Sequence, residues 1–242
     1  MRTAAAGQAR SGVVSFETSA IELRGVDVVA DRSGALYVPA ERTLVVADLH
    51  LEKGSAFAAR GFMLPPYDTR ETLARLAAVI GRYAPAHVVA LGDSLHDRGA
   101  ERRIGEMEIA ELRRLQAGRE WHWITGNHDP VIGPGVGGQV AGQLSLGGLE
   151  LRHEPSSGAV VGEIAAHLHP AARVVLSRVG LRRPCFVSDA HRLVLPAFGA
   201  FTGGLNVLDV AFAGLFGEAG FAVRLIGRDG VYPVARACLL PD

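Results

Sequence analysis

The sequence predicts an α/β protein in one domain built on two packed sheets, and three observations carry that prediction. Between Thr43 and Thr125, three short apolar runs alternate with two amphipathic stretches, the pattern of a parallel sheet with right-handed crossovers. After Pro130 the helical period disappears, and short strand-like runs follow one another to the end of the chain. No stretch between these regions has the composition of a linker.

In chain order, residues 1–17 are rich in Ala, Gly and polar residues and lack an apolar segment. They read as a disordered tail rather than a secretory signal, leaving 18–242 as the domain. Ile21–Leu23, Val26–Val29 and Leu36–Val38, separated by Gly25 and Ser33-Gly34, form a predicted antiparallel meander. Thr43–Ala47 is a buried strand by its β-branched, uncharged composition. Asp68-Thr69-Arg70-Glu71 has the form of a capping box. It would open a helix whose Leu73, Leu76, Ala77 and Ile80 share one face. His87–Leu91 and Glu120–Thr125 are further buried strands. Between them, a helix from about Glu101 to Gln116 would turn Ile104, Met107, Leu112 and Leu115 inward. The glycine-rich stretch to Gly148 reads as a loop. Strands are then expected at 149–153, 163–167, 173–177, 185–188, 192–195, 221–226 and 231–234, with a helix at 205–215.

Composition narrows the function classes. The chain has 242 residues, 48% hydrophobic and 21% charged, and no apolar run of the length that spans a bilayer, so no membrane role is expected. Cys185 and Cys238 form no Cys-x-x-Cys pair, which suits a reducing cytoplasm. Formal charge is zero, so no global field draws in nucleic acid. Lys53 is the only lysine among 25 basic residues, an arginine bias that a GC-rich genome also produces.

Chemistry-bearing side chains recur at one kind of place, the carboxyl end of a predicted strand. They are Asp48 and His50, Asp93, Asn127 and His128, His153, and His167 with His169. Ligands of α/β proteins gather at that edge. Any one of these residues has an ordinary structural role, as a helix cap or a surface histidine. Their recurrence at successive strand ends is harder to explain that way. Carboxylates, an amide and imidazoles without thiolate suit Mn²⁺, Fe²⁺ or Zn²⁺. The set exceeds the needs of one ion and fits two sharing a bridging group, an arrangement that clamps the oxygens of a phosphoryl displacement.

Asp48-Leu49-His50, Gly92-Asp93, Gly126-Asn127-His128-Asp129, His153 and His167-Leu168-His169 together resemble the motif series of the calcineurin-like metallophosphoesterase superfamily. The resemblance implies a four-layer α/β/β/α sandwich with two mixed β-sheets, and hydrolysis of phosphate esters by water activated between two divalent ions. It implies that Asp48, His50 and His169 hold the first metal, Asp93 bridges, and Asn127, His153 and His167 hold the second. His128 would protonate the leaving oxygen or brace the phosphate charge, with Asp129 orienting its ring. Ala166 stands where the family usually has glycine. His96 in Ser94-Leu95-His96-Asp97 is similar to a residue that faces the scissile phosphate in repair nucleases; the alternatives are a helix-capping His96, or Asp97-Arg98-Gly99 in an active-site register.

The blocks Asp48–Gly54, Leu64–Thr69, Gly92–Asp97, Leu151–Pro155 and Pro196–Gly204 are similar to the ligase-associated DNA damage response endonuclease (PdeM) family. That likeness implies DNA as substrate, and a repair ligase, helicase or exonuclease as partners. Lys53, Arg60 and the arginines 173, 178, 182, 183 and 192 are candidate phosphate contacts or scattered solvated charges. A small-molecule phosphodiesterase or phosphomonoesterase, and a non-catalytic scaffold, are the competing readings.

Overall fold

Period-two alternation sorts the strands of the first sheet into two faces, and the layers follow from it. The computed structural model describes residues 17–62, 64–65, 67–176 and 179–242. The expected tail therefore lies, apart from Glu17, outside the described residues, as does Arg178. Strands β1 (Thr18–Leu23), β2 (Val26–Asp31), β3 (Leu36–Val38) and β4 (Thr43–Val46) pair antiparallel in order. Helices α1 (Lys53–Ala58) and α2 (Asp68–Tyr83) lead to β5 (His87–Leu91), and α3 (Ala100–Arg103) and α4 (Glu106–Gln116) lead to β6 (Glu120–Ile124). Strands β4, β5, β6 and β7 (Gln139–Ala141) are parallel, which makes the sheet mixed. Leu44, Val46, Val88, Ala90, Trp121 and Trp123 face the helices, meeting Leu73, Leu76, Val79, Ile80, Leu112 and Leu115.

The opposite face carries Val45, Val89, Leu91 and Ile124 onto a second sheet, against Leu149, Leu151, Ile164, Phe186, Leu193 and Leu195. That sheet comprises β8 (Gln143–Leu146), β9 (Leu149–Arg152), β10 (Glu163–Ala165), β11 (Pro170–Leu176), β12 (Val179–Ser188), β13 (Arg192–Val194) and β14 (Leu205–Asn206), with β15 (Ala222–Ile226) and β16 (Val231–Val234) added beside β12. It too mixes parallel and antiparallel pairs. Its outer face is covered by 3-10 turns and coil, where Val207 and Leu239 pack on Val174, Val187 and Val223. No helix among the described residues is long and apolar enough to cross a membrane.

Four expectations change. The stretch read as a loop before Gly148 supplies β7, which pairs parallel with β6, and β8, which Gly147 and Gly148, at positive φ, turn back into β9. The helix expected at 205–215 is a short strand and a 3-10 turn. There the side chains of Asn206 and Asp209 capture the backbone amides of Leu208 and Ala211, competing with helix formation. Asp68 does not cap α2; it is the first helical residue, and its carboxylate accepts from the Gly54 amide at 2.9 Å. The helix expected from Glu101 breaks at Ile104-Gly105, which shifts the phase and leaves Met107 73% exposed.

Arg192 also departs from its expected place on a basic track. Its side chain is fully buried and pairs with Glu163 at 2.6 Å across β10 and β13. It also donates to the Ser156 carbonyl at 2.7 Å. Arg173 and Arg182 turn to Pro241 and Asp242. Arg192→Ala would strand a buried carboxylate and is expected to cost about 3–5 kcal/mol. Urea unfolding checks this, and the double replacement Arg192→Met with Glu163→Leu should recover most of the loss.

Candidate metal centre

The site forms where the carboxyl ends of strands from both sheets meet. After β4 and β5 the two chains run side by side. Asp48 N donates to the Gly92 carbonyl at 3.3 Å, His50 N to Asp93 at 2.9 Å and Leu51 N to Ser94 at 2.8 Å. This zipper holds Asp48, His50 and Asp93 at φ of 50°, 43° and 46°, and in the second sheet His167 and His169 stand at 67° and 44°. Left-handed backbone costs an L-residue about 1–2 kcal/mol. Close packing explains the motif glycines. A Cβ on Gly92 would lie 2.4 Å from His153 Nδ1, and one on Gly126 would lie 2.2 Å from Asp93 Oδ1.

Two groups that include a carboxylate result, each with ligand atoms within 4.8 Å of one another: Asp48, His50 and His169, and Asp93, His153 and His167; His50, His96 and His128 form a third, of imidazoles alone. Asn127 Oδ1 reaches His153 Nε2 at 3.0 Å and so joins the second group. Asp93 Oδ2 lies between the groups, 4.0 Å from His50 Nε2 and 3.5 Å from His153 Nε2. All seven residues expected as ligands are thus brought together. The donors fit a cation. Asp48 is completely buried, and its Oδ1 accepts no hydrogen bond although His169 Nε2 is 3.2 Å away. A buried carboxylate oxygen in that state calls for a positive partner.

Electrostatics agree. Burial, reinforced by His169, His128 and His96, lowers His50 to about 3, so its imidazole is neutral and free to coordinate. Burial alone would raise Asp93, but the hydrogen bond to His153 and the His128 amide hold it down at about 2. Burial opposes a charge on His153, yet Asp93 and Asp48 raise it to about 9. His153 therefore carries a proton in the metal-free protein below that pH and must shed it to coordinate. Mn²⁺ affinity should rise with pH and level off near 9, with a proton released on binding at pH 7.5. Titration calorimetry in buffers of different ionisation enthalpy would read it; heats independent of the buffer would refute it. For folding of the metal-free protein the sign is opposite. The raised His153 stabilises it fully below its ordinary 6.5, and that contribution is lost as pH rises through about 9.

The other expected site residues take different parts. Asp129 does not orient the His128 ring. Its buried carboxylate accepts four backbone amides, those of Asp93 (3.0 Å), Ser94 (2.7 Å), Leu95 (3.0 Å) and Gly126 (2.9 Å), and so clamps the Asp93 loop to the Asn127 loop. Burial, with Asp93 nearby, lifts it to about 6 against the pull of those amides. The His128 ring is instead held by the His96 carbonyl, 2.7 Å from Nδ1, which leaves Nε2 4.0 Å from Asp93 Oδ2. The His96 side chain is buried, with Nδ1 3.3 Å from His50 Nδ1, and it caps no helix: the residue before α3 is Gly99. Asp97 pairs with Arg103 at 2.8 Å, outside the centre.

Sequence reasoning missed two supports. Glu52 is buried and accepts from Thr69 Oγ1 at 2.9 Å and Ser55 Oγ at 2.6 Å, tying α1 to α2 beside His50. Gly199 packs under the Asp48 loop, where a Cβ would lie 2.2 Å from the Leu49 carbonyl. The glycine-rich Pro196–Gly204 block was the available signal for that approach.

A family model for calcineurin-like phosphoesterase matches residues 41–170, more than half of the chain. No curated protein matches. Among solved structures, the chain is similar to the Pseudomonas putida nuclease MPE. It shares 30% identity with that protein at a TM-score of 0.68, over 90% of this chain and 100% of the other.

Proposed function

The chain belongs to the calcineurin-like phosphoesterase family and is a metal-dependent hydrolase of phosphate esters; on that premise we propose that it is a nuclease working with two divalent ions. The observation that carries the two-ion reading is the position of Asp93 Oδ2 between the two donor groups. In this proposal Asp48, His50 and His169 hold one ion, Asn127, His153 and His167 the other, and Asp93 both. Mn²⁺ is the ion proposed, given imidazole, carboxylate and amide donors without thiolate. When bound, the ions supply positive charge to the phosphate oxygens and acidify water.

The chain's own residues do the rest. In this reading His128 protonates a substrate oxygen through Nε2; the His96 carbonyl fixes its ring and its side chain is 38% exposed, which support the role. Asp129 keeps both loops in register. DNA is proposed as the substrate because the similar solved protein is a nuclease, and repair as the setting because of the PdeM-like blocks. Lys53 lies close enough to the centre to act on His96, and its Nζ is 3.0 Å from the carbonyl of the exposed Phe201. Purified protein with Mn²⁺ should cleave a model phosphodiester and single- or double-stranded DNA. Hydrolysis of a phosphomonoester alone would remove the nuclease reading.

A further inference from the structure

At the other end of the parallel strands, His87, Glu120 and His122 bring three donor atoms within 4.8 Å of one another. Parallel register sets His87 beside Glu120 and Val89 beside His122. Residues two apart on a strand share a face, so the three side chains emerge together. Val89, Leu91 and Ile124 continue that face into the core between the sheets. The group stands at the amino ends of β5 and β6, while Asp93 and Asn127 follow their carboxyl ends. From His87 to Leu91 alone the strand runs about 13 Å.

The two distances from the carboxylate suit a coordination shell, the shorter being a hydrogen bond in the metal-free protein. Glu120 Oε2 is 3.2 Å from His87 Nδ1 and 3.6 Å from His122 Nε2. Ligands at zinc distance in a tetrahedron stand about 3.4 Å apart, between the two observed values. Exposure is graded, from 15% for the His122 side chain through 37% for His87 to 61% for Glu120, so an ion has a path in and the deepest donor is held by the sheet. Two imidazoles and one carboxylate are borderline donors that favour Zn²⁺, Ni²⁺ or Cu²⁺ over Mg²⁺ or Ca²⁺.

We propose that His87, Glu120 and His122 form a separate metal site for a borderline divalent ion of the zinc class, which cross-links β5 to β6 and takes no part in hydrolysis. Three protein donors leave a fourth position for water. Because the donors come from adjacent strands of the folded sheet, occupancy favours the native state by mass action.

Zn²⁺ is the probe. Wild type, Glu120→Ala and His122→Ala are loaded with excess Zn²⁺ and desalted, and bound zinc is counted by mass spectrometry. Phosphodiester hydrolysis is measured on separate samples reloaded with Mn²⁺. Each variant should retain one zinc fewer per chain than wild type, with unchanged Mn²⁺-dependent hydrolysis. Glu120 is largely exposed, so Glu120→Ala keeps the test open should His122→Ala fail to fold. Equal zinc content in wild type and folded Glu120→Ala would overturn the site. Loss of Mn²⁺-dependent hydrolysis in that variant would overturn its separation from catalysis.

Discussion

Replacing Asp129 with alanine is expected to lower stability by about 4 kcal/mol and to abolish hydrolysis together with tight metal binding. Four backbone amides converge on its carboxylate. A buried donor left without a partner costs about 1–3 kcal/mol, and entering water recovers part of that sum. The lost clamp joins the loops bearing Asp93 and Asn127, so both groups of donors lose their relative position. Asp129→Asn has the same shape but turns one acceptor into a donor facing those amides; it should fall between wild type and alanine. Urea midpoints and Mn²⁺ calorimetry on the two variants check the order. A stable, fully metal-binding Asp129→Ala would refute the clamp.

His128→Ala is expected to lower kcat by about 10²–10⁴-fold, the range for a lost general acid, while leaving metal content and stability near wild type. The separation follows from the geometry. His128 comes near His50 and His96 but lies outside the two carboxylate-bearing trios, and its ring is anchored by the His96 carbonyl. A variant that lost metal along with activity would make His128 a ligand instead. A variant with full activity would remove it from the reaction.

The two expectations differ in how readable they were. The seven donors were legible because each is a distinctive side chain just past a strand, but five of them stand on left-handed backbone, so strand alternation does not set where they point. The role of Asp129 was hidden because its partners are backbone amides, which carry no sequence signature. Helices α1 and α3, of six and four residues, are too short for a 3.6-residue period to show. Strand β7 was masked by the glycines around it, and it forms because β6 offers a parallel edge to Gln139–Ala141. Arg192 looked like surface charge, since only the pairing of β10 with β13 brings Glu163 to it.

The left-handed backbone at Asp48, His50, Asp93, His167 and His169 bears on how the centre acquires its ions. Around Asp48, His50 and Asp93 the backbone is tied by hydrogen bonds between the ends of β4 and β5. Loading is therefore expected to need little reordering of the chain. Chelation should empty the centre while leaving the circular dichroism of the fold intact, and a loss of that signal would refute the expectation.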